Sequence, residues 1–255
     1  VQVTNQGKRE PTVCTGVFIS YDWILTAAQC FDQGGSVVKT VIKFGIHDHK
    51  TVVNTIEAQK FIKHSRYIRH PEVIFNDIAL IRVSIPEQLK QEIAVVEVDH
   101  YEWDDFSQRK CLSFGFGSNT HEDSLLHVTQ LMARHDYGAC GCVRNNYMFV
   151  CGKPDEVPEV CVNDFGGPLL CNRRAVGLAN LLLQCGQKGQ DVCDKDTYYR
   201  YTYLCSHAEW INQYVPSYNN KCIATHPLSK ITSKGNVALE ISWFDNLMDS
   251  LFLSI

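Results

Sequence analysis

The sequence has no apolar run long enough to span a bilayer. Its longest candidate, at the C-terminus, is broken by Glu240, Asp245 and Asp249. It has no cluster of basic residues either. The 24 Lys and Arg are scattered among 28 Asp and Glu, giving a net charge of −4. That leaves no basic face for nucleic acid, so no nucleic-acid partner is expected. No Asn-x-Ser/Thr sequon occurs, so no N-glycan is expected. The C-x2-C pairs of zinc ribbons are missing. Cys140-Gly-Cys142 is the nearest approach, and His47-Asp48-His49 reads as well as a turn between strands. No metal and no cofactor is expected. The first residue is Val1 rather than Met, which reads as a processed form or a fragment. Charged residues make up only 20% and hydrophobic ones 45%, which excludes a disordered chain.

What the sequence has in quantity is cysteine. Twelve Cys in 255 residues, an even number spread over most of the chain, read as the disulfide framework of a secreted protein. Between them lie short runs rich in Val, Ile and Phe, divided by polar turns. Segments 13–20, 37–44, 52–61, 78–83 and 94–98 read as strands, and 112–116, 148–151, 168–171, 175–183 and 198–203 continue the pattern. Strands at this spacing predict an all-β barrel or sandwich. Residues 206–215 instead carry Trp210, Ile211, Tyr214 and Val215 on one helical face. Ser206 and Glu209 form a capping box, and Pro216 is the stop.

After Pro216 the character changes. Ser217–Lys221 reads as a polar linker. Over 236–255, Leu239, Trp243, Phe244, Leu247, Met248, Leu251 and Phe252 recur at helical spacing. The polar face carries no basic residue, which counts against an anionic membrane and favours packing on the body or on a protein partner.

Three segments, in this order and spacing, resemble the trypsin-like serine proteases. Cys14-Thr-Gly-Val-Phe-Ile-Ser-Tyr-Asp-Trp-Ile-Leu-Thr-Ala-Ala-Gln-Cys30 is similar to the first disulfide loop of that family. Asn76-Asp-Ile-Ala-Leu-Ile81 is similar to the segment carrying the catalytic Asp. Cys161-Val-Asn-Asp-Phe-Gly-Gly-Pro-Leu-Leu-Cys171 is similar to the nucleophile loop. Cys111-Leu-Ser-Phe-Gly-Phe-Gly117 and the helix around Trp210 match as well. The resemblance implies two six-stranded antiparallel β-barrels, about 1–105 and 106–204, with helix 206–215. They form one domain, 1–216, followed by a C-terminal extension, 217–255.

The resemblance also implies where the chemistry should sit. In that family a His takes the proton of a Ser hydroxyl, and a buried Asp holds the His. Here the His position is Gln29, the Asp position is Asp77 and the Ser position is Phe165. An amide is no base near neutral pH, and a phenyl ring offers no nucleophile. The oxyanion position is Asn163 instead of Gly, and the Ser-Trp-Gly of the substrate cleft becomes Asn180, Leu181 and Leu182. Glu159 stands where preference at the pocket base is set, or is simply a solvated loop carboxylate. No Ile-Val-Gly-Gly start is present to pair its ammonium with Asp164.

By the same resemblance the expected disulfides are Cys14–Cys30, Cys111–Cys171 and Cys161–Cys185, with Cys151 bonded to Cys140 or Cys142. Cys193, Cys205 and Cys222 stay unassigned. The expectation is a secreted, extracellular homologue that is not an enzyme. Its partner is another extracellular protein, within a proteolytic or immune cascade. The alternative is an active serine-type endopeptidase with non-standard machinery.

Overall fold

The computed structural model describes residues 1–45, 54–70, 73–104, 107–116, 126–145, 147–156, 164–186 and 196–224. The first half contributes β1 (Gln2–Asn5), β2 (Thr12–Val13), β3 (Val17–Ser20), β4 (Trp23–Thr26), β5 (Val37–Phe44), β6 (Asn54–Glu57), β7 (Lys60–Lys63), β8 (Ile68–His70), β9 (Val73–Phe75) and β10 (Ala79–Arg82). They pair as two four-stranded sheets, β2-β1-β5-β6 and β3-β4-β10-β7, plus the β8-β9 hairpin. The second half contributes β11 (Arg109–Gly115), β12 (His127–Arg134), β13 (Phe149–Pro154), β14 (Pro168–Cys171), β15 (Arg174–Gln184) and β16 (Thr197–Tyr203). These close a six-stranded barrel in the order β11-β12-β13-β16-β15-β14, which leaves no open edge. A 3-10 turn and α1 (Ala208–Tyr214) follow. The fold is all-β, as expected. Among the described residues only the second half closes into a ring.

β10 shows why the two halves stay together. Ala79, Leu80 and Ile81 are all fully buried. Successive strand side chains point to opposite faces, so a strand covered on both faces reads as an unbroken apolar run. Ala79 and Ile81 join Val3, Ile24 and Phe44 in the core of the first half. Leu80, with Leu25 and Ile78, joins Phe114, Leu178, Trp210 and Ile211 of the second half. Burial of side chains such as Leu25 and Leu80 stabilises by about 1.5–3 kcal/mol each, so this shared cluster clamps the halves.

Several boundaries differ from expectation. Segment 13–20 is two strands, β2 and β3, and β6 and β7 are separated by Ala58 and Gln59. Segment 94–98 is no strand. Val98 makes one isolated bridge to Ala175, and the Val96 N–H donates to the Phe18 carbonyl. β12 was not expected, although its buried Thr129, Leu131 and Ala133 alternate with more exposed neighbours. The capping box is absent. His207 is the N-cap, and the Ser206 hydroxyl donates back to the Tyr203 carbonyl at 2.8 Å. Ser217–Lys221 is no free linker. Tyr218 is buried, Cys222 bonds Cys205, and the Ile223 N–H donates to the His100 carbonyl. The expected helix 236–255 lies outside the described residues.

The described disulfides are Cys14–Cys30, Cys111–Cys171, Cys140–Cys151, Cys142–Cys185 and Cys205–Cys222. Cys185 therefore pairs with Cys142, not with Cys161 as expected. Gly141 explains the difference. Its φ of +63° turns the chain so that Cys140 enters the core while Cys142 stays exposed beside the end of β15. A Cβ on Gly141 would lie 2.4 Å from the Tyr198 ring. Both cysteines of the zinc-like pair are thus in disulfides, and no metal-binding group occurs among the described residues. His47, Asp48, His49, Cys161 and Cys193 lie outside them.

Candidate functional site

The seam between the two halves carries a buried polar chain. Gln29 sits in the 3-10 turn Ala28–Phe31 after β4, tied down by the Cys14–Cys30 disulfide. Asp77 follows Asn76, whose φ of +48° makes the sharp exit from β9. Asp77 is completely buried. Its Oδ1 accepts the Gln29 backbone N–H at 2.8 Å, and its Oδ2 accepts the Gln29 side-chain amide at 2.6 Å. The same amide also donates to the Asn180 carbonyl at 2.9 Å.

Asn180 arrives through a β-bulge. On β15, Ala179 pairs with Tyr201 and Leu181 with Arg200, so Asn180 is the extra residue between them. A bulge of this kind re-aims a side chain out of the ladder. Here it sends Asn180 Nδ2 to Asp77 Oδ2 at 2.9 Å, while Asn180 Oδ1 accepts Arg200 Nε at 2.8 Å. Arg200 is 2% exposed, and its guanidinium lies 4.4 Å from the Phe149 ring centroid. The Thr202 hydroxyl donates to the Asp77 carbonyl at 3.2 Å. The sequence thus runs carboxylate, amide, guanidinium, from one half to the other.

Burial pushes the Asp77 carboxyl up to about 6, against the hydrogen bonds from Gln29 and Asn180 that favour its charged form. Burial likewise pulls Arg200 down to about 10, opposed by the Asp77 charge. At neutral pH both remain charged, and the neutral Asn180 amide relays between them. A buried charge without such partners would cost several kcal/mol.

Phe165 is brought to the same seam. Its carbonyl accepts the Thr15 N–H at 3.0 Å and lies 3.9 Å from Cys30 Sγ. Its ring is half-buried and packs against the first-half core cluster that contains Cys14, Ala27, Ala28 and Cys30. The next residue, Gly166, has φ +81°, and a Cβ there would lie 2.4 Å from Thr26 Oγ1 and 2.5 Å from the Thr15 carbonyl. Only glycine lets the loop approach that closely.

Leu181 and Leu182 are half-buried opposite Arg200 and Tyr199. Leu182 packs on the barrel cluster that holds Tyr199, Tyr201 and Tyr203. Gln29, Asp77, Asn180 and Phe165 therefore meet at one seam, with Leu181 and Leu182 continuing β15. Glu159 and Asn163 lie outside the described residues. Sequence reasoning missed Arg200. The signal was there: one cation inside the aromatic run Tyr198–Tyr203, on a strand otherwise read as core.

Comparison with known proteins places this geometry in context. The sequence profile described as Trypsin matches residues 1–211. Cationic trypsin-3 of Rattus norvegicus is 29% identical over 216 residues, covering 79% of each chain. Trypsin of Sus scrofa is 26% identical over 214 residues, 78% of this chain and 84% of that protein. Among solved structures, neuropsin, a serine protease expressed in the limbic system of mouse brain, superposes with a TM-score of 0.64. It shares 23% identity over 83% of this chain and 92% of its own.

Proposed function

This chain belongs to the trypsin family, and we propose that within it the protein is a catalytically inactive, secreted homologue. On this reading it binds another extracellular protein and regulates a proteolytic or immune cascade. One observation carries the proposal. The group beside the buried Asp77 is the Gln29 amide, which spends both its side-chain N–H bonds on Asp77 and on the Asn180 carbonyl. A primary amide accepts no proton near neutral pH, so it cannot activate a hydroxyl. Phe165, at the nucleophile position of the resemblance, offers no hydroxyl to activate. Secretion is supported by the disulfides, and no helix among the described residues is long and apolar enough to cross a membrane.

We propose that residues 1–216 are the protease-like body and 217–255 an extension, whose start is held to that body through Tyr218 and the Cys205–Cys222 bond, and that 236–255 form an amphipathic helix for the body or a partner. The deciding experiment is labelling of the purified chain with a fluorophosphonate, alongside a peptide-library screen. Neither adduct nor turnover is expected. Turnover that co-purifies with the chain and stops when an adduct forms on one of its own side chains would establish the alternative, an active serine-type endopeptidase with non-standard machinery.

A further inference from the structure

A second concave site lies apart from the Asp77 seam. It is a cavity of about 490 Å³ between the start of α1, the end of β16 and the segment at Glu102 and Trp103. None of Gln29, Asp77, Phe165 or Asn180 lines it. Its walls are aromatic. Trp103, His135 and Tyr203 are nearly fully buried, and Tyr147 stands half-exposed beside them. The His135 ring is central, with centroid distances of 4.1 Å to Tyr203, 5.7 Å edge-on to Tyr147 and 6.4 Å to Trp103.

Polar edges of the three buried rings, Trp103, His135 and Tyr203, are already engaged. Trp103 Nε1–H donates to the Ser107 carbonyl at 3.1 Å. The Tyr203 hydroxyl accepts the Trp103 backbone N–H at 2.8 Å and donates to the Tyr101 carbonyl at 3.3 Å. His135 Nδ1 lies 2.8 Å from the Phe149 carbonyl. What the walls offer a guest is therefore ring surface. Ring faces carry negative potential and attract cations. The molecule already uses this property on one of these rings, since the Arg109 guanidinium lies 4.2 Å from the Trp103 ring centroid while its charge is paired with Asp99 at 3.0 Å. Glu102 and Glu209, both exposed, add two carboxylates to the lining, and Lys221 adds one ammonium. The cavity is left with acidic charge in excess.

We propose that this cavity binds an alkylammonium group, its charge held against the rings of Trp103, Tyr147 and Tyr203 and balanced by Glu102 and Glu209. The exposed Lys221 ammonium has the same chemistry as the guest and competes with it. The test is titration of the full chain with choline and with its neutral isostere 3,3-dimethylbutan-1-ol, followed by calorimetry and by the aromatic NMR signals. Choline should bind about tenfold more tightly than the isostere, the ratio expected of a cation against aromatic faces. Trp103 is buried and its truncation endangers the fold, so the variants are at exposed positions. Tyr147→Ala and the double variant Glu102→Gln/Glu209→Gln should each weaken choline severalfold, and Lys221→Ala should strengthen it. Equal binding of the isostere, no choline binding, or loss of binding in Lys221→Ala would each overturn the proposal.

Discussion

Gln29 and Asp77 are bonded twice, backbone N–H to Oδ1 at 2.8 Å and side-chain amide to Oδ2 at 2.6 Å, across a sequence separation of 48 residues. The carboxylate is buried, so these bonds stand in for water. Truncating Gln29→Ala removes the side-chain donor and leaves one carboxylate oxygen with the Asn180 amide alone. The expected loss is about 3 kcal/mol, the range for unpairing a buried charged acceptor. Gln29→His keeps one N–H available to the carboxylate and should lose about half of that. Urea denaturation of the three proteins at pH 7 checks the order. A Gln29→Ala chain as stable as the wild type would show that the amide does not carry the carboxylate.

The same burial gives a pH signature. The folded-state pKa of Asp77 is raised from 3.8 to about 6. A raised carboxyl pKa means the folded state binds the proton more tightly than the unfolded state. Its stabilising contribution is therefore complete below about 4 and is lost as pH rises through about 6. At about 1.4 kcal/mol per unit, the change is about 3 kcal/mol. Asp77→Asn cannot titrate, so the stability difference between wild type and this variant isolates the effect. That difference should fall between pH 4 and pH 6 and then level off. A difference that grows over the same window would mean that the hydrogen bonds outweigh the burial.

Much of this site was legible because its residues lie in short motifs of fixed spacing. Gln29 precedes a cysteine, Asp77 opens an apolar strand, and Phe165 precedes Gly-Gly-Pro. The strands with strong apolar runs, β5, β10 and β15, were legible too. What was not legible depends on contacts between distant segments. Arg200 gains its meaning from the bulge at Asn180, and no local pattern announces a one-residue shift in pairing. The partner of Cys185 depends on the turn at Gly141, where two cysteines separated by one residue leave in different directions. Ser206 and Glu209 satisfy a capping pattern, yet the hydroxyl finds the Tyr203 carbonyl first. Local polarity made Ser217–Lys221 resemble a linker, while the Cys205–Cys222 bond and buried Tyr218 hold it to the body.

The disulfide correction is directly measurable. Non-reducing peptide mapping should yield a fragment joining Cys142 to Cys185, and none joining Cys161 to Cys185. Replacing both, Cys142→Ser with Cys185→Ser, opens a connection between residues 43 apart and should cost on the order of 2–4 kcal/mol. The exposed position of Cys142 makes the replacement itself mild, so the loss reports the cross-link rather than a damaged core.

Restoring the two missing groups tests the proposed inactivity most severely. Phe165→Ser supplies a hydroxyl but leaves the Gln29 amide beside Asp77, and an amide cannot take its proton. This variant should therefore show no turnover. It also withdraws a half-buried ring from the core around Cys14, Ala28 and Cys30, so a stability loss of about 1–3 kcal/mol accompanies it. The double variant, Gln29→His with Phe165→Ser, supplies a base beside the existing Asp77 and a hydroxyl at the nucleophile position of the resemblance. Loss of such a nucleophile costs about 10⁶ in a triad protease, a figure measured in subtilisin, which shares the triad but not the fold. Most of that factor should stay lost. Asn163 still replaces glycine at the oxyanion position of the resemblance. Leu182, packed on the barrel cluster, stands by the same resemblance where the family has the glycine of its substrate cleft. Peptide-library assays on wild type, single and double variants, each purified free of contaminating proteases, read the outcome. Turnover in Phe165→Ser alone would show that a base other than Gln29 is present, and the inactive reading would fail.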